Sequence, residues 1–359
     1  MASVVLPSRV LAQTQPRQNP RRPRGLGPRL VVGFAGQDAR DAGVQSAARS
    51  IAEGSVAGVI LLARNIVSVD QVIGLCSFLR AASPDLPPLI CVDHEGGLVA
   101  RANSPAGFSS WLPAEEVGEN YPDAESAANY YRPRARELAF AGINLNLGPV
   151  IDLNLNPKNP IIGGLGRSYS ASPERVVAGA EGFIRAHHEA EVLTCLKHFP
   201  GHGSSKGDTH LGPVDVSRTW SMLELEPFRA IVSAGTADSI MNAHLYHPDF
   251  SDTVGQPASL SAKSVDQIRN YLRFEGVVMT DDMQMRAVTA NYREEQAAVL
   301  AVAAGNDLLI YSTFDTPDPD IAQRISGHLS MALEGGHLDR SSFELSTDRV
   351  RRLRESLRA

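Results

Sequence analysis

Eight short apolar runs, helical patterns between most of them, and no Gly-x-Gly-x-x-Gly after the first run together predict an α/β chain folded as a single (β/α)8 barrel of the TIM type. The runs span 30–36, 58–63, 89–95, 144–153, 192–199, 239–245, 276–282 and 307–312. Several are continuously apolar rather than alternating, as in GVILLA and GVVMT, which is the pattern of parallel strands covered on both faces. Strand and helix repeated in this way specify a parallel sheet, and eight strands in one series favour closure over an open sheet. The missing glycine fingerprint argues against a dinucleotide-binding fold. A length of 359 residues suits one such barrel with insertions.

The intervals carry helix signals. Ser172-Pro173-Glu174 reads as an N-cap, a first-turn proline and an early acid, and Val176, Val177, Ala180, Phe183 and Ile184 then share one stripe. Ser221 with Glu224 reads as a capping box opening another helix. Val265, Ile268 and Leu272 form a third stripe, and 297–304 a further helix with Gly305 as its C′ residue.

Composition narrows the function classes. Hydrophobic residues make up 43% and charged residues 21%, a globular balance, and the net charge of −6 implies no general affinity for nucleic acid. Residues 1–29 hold six arginines (Arg9, Arg17, Arg21, Arg22, Arg24 and Arg29) and no acid, with many Pro and Gln, so this segment is expected to be a flexible basic tail ahead of a catalytic barrel over 30–359. Its apolar stretch 4–12 is interrupted by Pro7 and Arg9, too short and polar for a signal sequence, and no later run is long enough to cross a membrane. Cys76, Cys91 and Cys195 show no metal or redox spacing and read as buried thiols of a reducing compartment. A soluble, cytoplasmic, monomeric protein is the expectation.

Polar residues gather where the strands end, the position of the catalytic groups in such barrels. Strand three ends in Asp93-His94-Glu95-Gly96-Gly97, with Arg101 following; strand four ends near Asp152, and its loop carries GGLGR to Arg167; strand five ends in KHFPGHG; strand six in Asn242-Ala243-His244; strand seven in Thr280-Asp281-Asp282. Pro200, Gly201 and Gly203 make a regular helix after strand five improbable. Asp208 and His210 stand two apart, so an extended segment puts both on one face, where a carboxylate orients an imidazole as a proton shuttle.

These residues resemble glycoside hydrolase family 3, and within it the bacterial β-N-acetylhexosaminidases of the cell-wall-recycling type. KHFPGHG-SSKG-DTH is similar to that branch's KHFPGHG, four-residue, Asp-Ser-His signature, with Thr209 in place of Ser; VDHEGGLVAR, GRSY, MNAH, FEGVVMTDDMQM and LLARN resemble its other loops, over about residues 30–312. The resemblance implies a retaining exo-β-N-acetylhexosaminidase acting on terminal β-linked GlcNAc of peptidoglycan fragments. It implies Asp281 as nucleophile, His210 as acid/base with Asp208 as its partner, and Asp93, Arg101, Arg167, Lys197 and His198 as substrate-binding residues, with no metal or other cofactor. His244 lies near the site without an assigned role. Leu98 stands where the family often has a polar residue, and the interval from His210 to Pro213 is shorter than in many members; both departures touch aglycone preference.

A retaining hydrolysis needs two groups roughly 5–5.5 Å apart across the anomeric carbon. Asp281 must be ionised, which Lys197 and Arg167 favour, and His210 must deliver a proton, then take one from water. Gly201, Gly203 and Gly207 predict that the His210 loop closes during turnover. Three rivals compete. A metal-dependent hydrolase would use His198, His202, Asp208 and His210, but Pro200 and Gly201 deny the helix that the i, i+4 spacing of the first two requires. A β-glucosidase or β-xylosidase of the same family would be expected to carry a second domain supplying a Glu acid/base, for which this sequence has no room after strand eight. A non-catalytic sugar-binding protein would not need both candidate catalytic residues.

Overall fold

A computed structural model describes residues 29–358. The eight expected strands all form: β1 Leu30–Val32, β2 Gly58–Leu61, β3 Leu89–Val92, β4 Leu145–Asn146, β5 Leu193–Phe199, β6 Ser239–Asn242, β7 Val277–Asp282 and β8 Leu308–Tyr311. They pair in parallel in chain order, and β1 pairs with β8, so the sheet closes into a barrel. Two small two-stranded sheets stand apart from it: the hairpin of His94–Gly96 with Val99–Ala100, and Val214–Asp215 beside Leu245–Tyr246.

The continuous apolar runs are explained by two buried layers. Val31, Ile60, Cys91, Leu145, Cys195, Met241, Met279 and Ile310 pack together inside the barrel. Their neighbours Val32, Leu61, Val92, Leu196, Ile240, Val278 and Leu309 face outward under the helices. Alternation of side persists, but both sides are apolar. The three cysteines are buried free thiols, and burial pushes Cys76 and Cys195 up to about 12.

The helix after β4's long loop, Pro173–His188, starts at Ser172 as expected, although the Ser172 hydroxyl donates to Glu174 rather than capping backbone. Val176, Ala180, Phe183 and Ile184 are buried; Phe183 stacks on His187 at 3.9 Å and meets Tyr131 edge-on at 5.0 Å. Gly305, at φ +101, follows the helix Glu294–Ala303 and its C-cap Ala304. The stripe of Val265, Ile268 and Leu272 is buried, on a helix that widens to a π-turn over Gln267–Tyr271.

Two expectations need correction. Ser221 and Glu224 form no capping box: Glu224 turns from its own short helix, Met222–Leu225, to backbone N–H groups of the loop after β5. Most of the expected tail, residues 1–28, lies outside the described residues, but Arg29 belongs to the fold. It is buried, its guanidinium stacks 3.5 Å above the Phe343 ring, and it donates to the Phe343 carbonyl and the Ser346 hydroxyl. Among the described residues no helix is long and apolar enough to cross a membrane.

Phe183 is the pivot between the helices Ala124–Phe140 and Pro173–His188. Phe183→Ala should lower unfolding free energy by about 3–5 kcal/mol, read from the denaturant midpoint. A loss below about 1 kcal/mol would contradict this packing.

Candidate active site

The strand ends converge on the C-terminal mouth of the barrel. Two strand pairs slip register there, β5 against β6 between Leu196 and Phe199, and β7 against β8 between Met279 and Asp282. Such bulges re-aim side chains at barrel rims. They fall on the segments bearing Lys197-His198 and Asp281-Asp282.

At the centre is a buried ion-pair network. Lys197 Nζ lies 2.8 Å from Asp93 and 2.6 Å from Glu95, and Arg167 grips Glu95 through two bonds of 2.7 and 2.8 Å. Burial works against the Glu95 charge, yet Arg167 and Lys197 hold its carboxyl well below the usual range. Burial likewise opposes the Lys197 charge, and Asp93 and Glu95 outweigh it. Lys197 thus keeps one N–H for a ligand, and Asp93, 24% exposed, keeps an open face. Four of Arg167's five N–H groups are already used, on Glu95, the Ile161 carbonyl and His198.

His198 is fixed from both sides. Nδ1 is 2.6 Å from Asp152, and Nε2 is 3.3 Å from Arg167. Arginine only donates, so Nε2 accepts and the proton sits on Nδ1, donated to Asp152. Asp152 also accepts the backbone N–H of His202 at 2.7 Å, which ties the KHFPGHG segment to the end of β4.

β7 supplies two adjacent carboxyls with opposite tendencies. Burial would raise Asp281, but the imidazoles of His244, His198 and His210 and the Asp282 N–H bring it down to about 2. Burial dominates at Asp282, which is raised to about 6 while it accepts the Ser312 hydroxyl and the Gln284 N–H. Asp281 therefore holds its charge far more firmly than Asp282, which takes up a proton first as pH falls. His244 holds this strand end: its Nε2 donates to the Asp282 carbonyl at 2.9 Å, so Nδ1 accepts from the Ser259 hydroxyl at 2.6 Å.

His210 and Asp208 form the expected dyad. Nδ1 of His210 is 2.7 Å from Asp208, and the same oxygen takes the His210 backbone N–H at 2.8 Å. Nε2 remains open, on a side chain 57% exposed. His210 lines one cavity of about 700 Å³ with Asp93 and Arg101, bounded further by Met283, Gln284 and Phe314. Leu98 and Leu211, at the two places where the sequence departs from the family pattern, are both exposed.

Of the site residues expected from the sequence, Asp93, Arg101 and His210 line one cavity, Lys197, Arg167 and His198 form the ion-pair network beneath Asp93, Asp208 pairs with His210, and Asp281 lies within electrostatic reach of His198 and His210. Of the metal-site rival's histidines, His198 and His202 each have both ring nitrogens in hydrogen bonds, whereas His210 uses Nδ1 on Asp208 and leaves Nε2 open. Sequence reasoning left Glu95, Asp152 and Asp282 without roles and misread Glu224. Their positions in the HEGG, strand-four and DD segments were visible, but a buried clamp looks like any strand-end acid until its partners are known.

Two variants test this electrostatic picture. Glu95→Gln leaves Arg167 and Lys197 buried with too little negative charge, and should cost about 3–5 kcal/mol in a chemical melt. Glu224 is raised from 4.5 to about 7, by burial first and the Asp152 charge second, against the opposing contacts of Ser204. The folded chain then holds a proton that the unfolded chain releases, so this contribution is full below 4.5 and lost as pH rises through about 7. Wild type should lose about 3 kcal/mol across that window relative to Glu224→Gln; parallel stability–pH curves for the two proteins would show the carboxyl is not perturbed.

Residues 32–353 match the model of the glycosyl hydrolase family 3 N-terminal domain. The chain is 38% identical to the beta-hexosaminidase of Xanthomonas oryzae pv. oryzae over 242 residues, 65% of this chain and 69% of that one. It is 31% identical to beta-hexosaminidase A of Pseudoalteromonas piscicida over 323 residues, 84% of this chain but 54% of the relative. Among solved structures, a family 3 beta-N-acetylglucosaminidase from Paenibacillus sp. str. FPU-7 superposes with a TM-score of 0.84 at 32% identity, covering 93% of this chain and 62% of that one. A beta-N-acetylhexosaminidase from Beutenbergia cavernae gives 0.80 at 29%, covering 92% and 97%. With its barrel, its strand-end residues and a family match over most of its length, this chain belongs to glycoside hydrolase family 3.

Proposed function

We propose that the protein is a retaining exo-β-N-acetylglucosaminidase. The observation that carries this reading is an anionic Asp281 at the end of β7 together with an Asp208–His210 dyad whose imidazole lies close enough to help hold that carboxyl ionised. The names of the beta-hexosaminidase relatives support the sugar.

In this reading an Asp281 oxygen bonds to the anomeric carbon as the glycosidic C–O bond breaks. His210 Nε2–H passes its proton to the departing oxygen, and Asp208 stabilises the charged ring in the required orientation. Water then attacks the glycosyl ester from the opposite face, giving its proton to the neutral ring and releasing Asp281, so the β configuration is kept. Asp93, Lys197 and Arg101 bind hydroxyls of the terminal sugar, with His198 and Arg167 orienting and completing that subsite. The natural substrate is a peptidoglycan-derived fragment with a non-reducing β-GlcNAc, cleaved by a cytoplasmic monomer.

Turnover of 4-nitrophenyl β-N-acetylglucosaminide should exceed that of the β-glucoside; the reverse order would favour a β-glucosidase. Asp281→Asn should abolish turnover, whereas Asp282→Asn should retain it. His210→Ala should lose about 10²–10⁴-fold on poor leaving groups and far less on 2,4-dinitrophenol. NMR should detect the β-anomer as the first product, and an α-anomer first would end the retaining reading.

A further inference from the structure

We propose that Glu224 is a positioning residue for the general acid, the side chain that closes the neck of the loop carrying Asp208 and His210. This rests on the assignment of His210 as acid in the preceding reading. The loop leaves β5 at Phe199 and returns at the short helix Met222–Leu225. Glu224, on the returning side, reaches across to the departing side: one oxygen accepts the backbone N–H of Gly203 at 3.0 Å and of Ser204 at 3.4 Å. Trp220 closes the same neck by donating to the Pro200 carbonyl at 3.0 Å.

The Pro-Gly-His-Gly turn is shaped around this contact. Gly201 has φ +124, and a Cβ there would lie 2.5 Å from the Glu224 Cβ and 2.8 Å from its carboxyl oxygen. Side chains at that position would push the carboxyl off the turn. The contact is fully buried: Glu224 is 1% exposed, and the Ser204 hydroxyl as well as the two N–H groups acts on its carboxyl. A buried carboxyl costs desolvation that an apolar residue of similar size would not. What the carboxyl does supply is two directed bonds at the point where the loop turns toward Asp208 and His210. Beyond Ser205 the chain comes out to solvent, with Lys206, His210 and Leu211 exposed, so the direction of the tip depends on how its root is held.

The test is a double-mutant cycle with graded leaving groups on aryl β-N-acetylglucosaminides. Glu224→Ala should lower kcat/KM about 10²-fold for phenyl and less than about fivefold for 2,4-dinitrophenyl, the signature of a misplaced acid. In a His210→Ala background it should cost nothing further on either substrate. Glu224→Gln keeps an acceptor for both N–H groups and should restore most of the phenyl activity; Glu224→Asp, shorter by one methylene, should not, and it decides the matter if the alanine variant does not fold. Equal losses on both leaving groups, additive losses with His210→Ala, or full activity in a folded Glu224→Ala would overturn the proposal. Amide hydrogen exchange reads the loop without any substrate: exchange over 206–212 should rise in Glu224→Ala or Glu224→Asp while β1–β8 stay protected, and unchanged exchange there would also overturn it. Wild type inactive on every N-acetylglucosaminide would refute the enzymatic reading separately, with the exchange result still deciding whether Glu224 holds the loop.

Discussion

The mouth of the barrel is organised by one constraint: Lys197 and Arg167 must be buried, and Glu95 is what permits it. Burying an ion costs several kcal/mol, and a lone cation in this position would lose its charge or break the fold. Glu95 takes two bonds from Arg167 and one from Lys197, and Asp93 takes the other bond of Lys197. Two acids and two bases cancel, so the floor of the site has fixed dipoles without a strong net field. A neutral, hydroxyl-rich ligand is suited to such a surface, because it can be held by directed bonds with little reorganisation. An apolar packing of equal volume would be more stable but would offer no donors or acceptors to a sugar.

From that floor outward the groups become freer. His198 is locked between Asp152 and Arg167, which settles its tautomer. Asp281 sits on a bulged strand end whose backbone is held by His244, and the adjacent Asp282 is spent on Ser312 and the Gln284 N–H. Two neighbouring carboxyls thus divide: one is held ionised by the imidazoles around it, and the other is spent in joining β7 to β8. The division comes from environment, since the residues are chemically identical.

How much of this could be read from the sequence follows from the range of the interactions. All eight strands were legible because burial on both faces leaves a continuous apolar run, a signal confined to neighbouring residues. The Asp208–His210 dyad was legible for the same reason, its two members standing two residues apart. Glu95 and Asp152 were not assignable, because their partners lie 72 and 46 residues away. Glu224 was misread because a local rule, Ser followed three residues later by Glu, competed with a contact 21 residues back. Arg29 was assigned to the tail on charge, yet stacking on Phe343 and bonds to its carbonyl and to Ser346 outweigh its preference for water.

The same network explains why a histidine on a loop can share a site with a carboxylate on a strand. The root of that loop is pinned from several directions: Asp152 takes the His202 N–H, Asn159 donates to the His202 carbonyl at 2.7 Å, and Glu224 takes the N–H groups of Gly203 and Ser204. The tip is tied far more lightly, chiefly by the Ala287 N–H donating to the Thr209 carbonyl at 3.0 Å and a longer contact of Thr209 with His202. A single hydrogen bond nets only about 1 kcal/mol, so the tip can lift for roughly the energy of one or two bonds while the root stays in place. Ala287 follows β7, so the bond that seats the tip also brings His210 beside the strand bearing Asp281. The seated tip, held through Ala287, thus fixes the imidazole relative to the strand that bears the carboxylate.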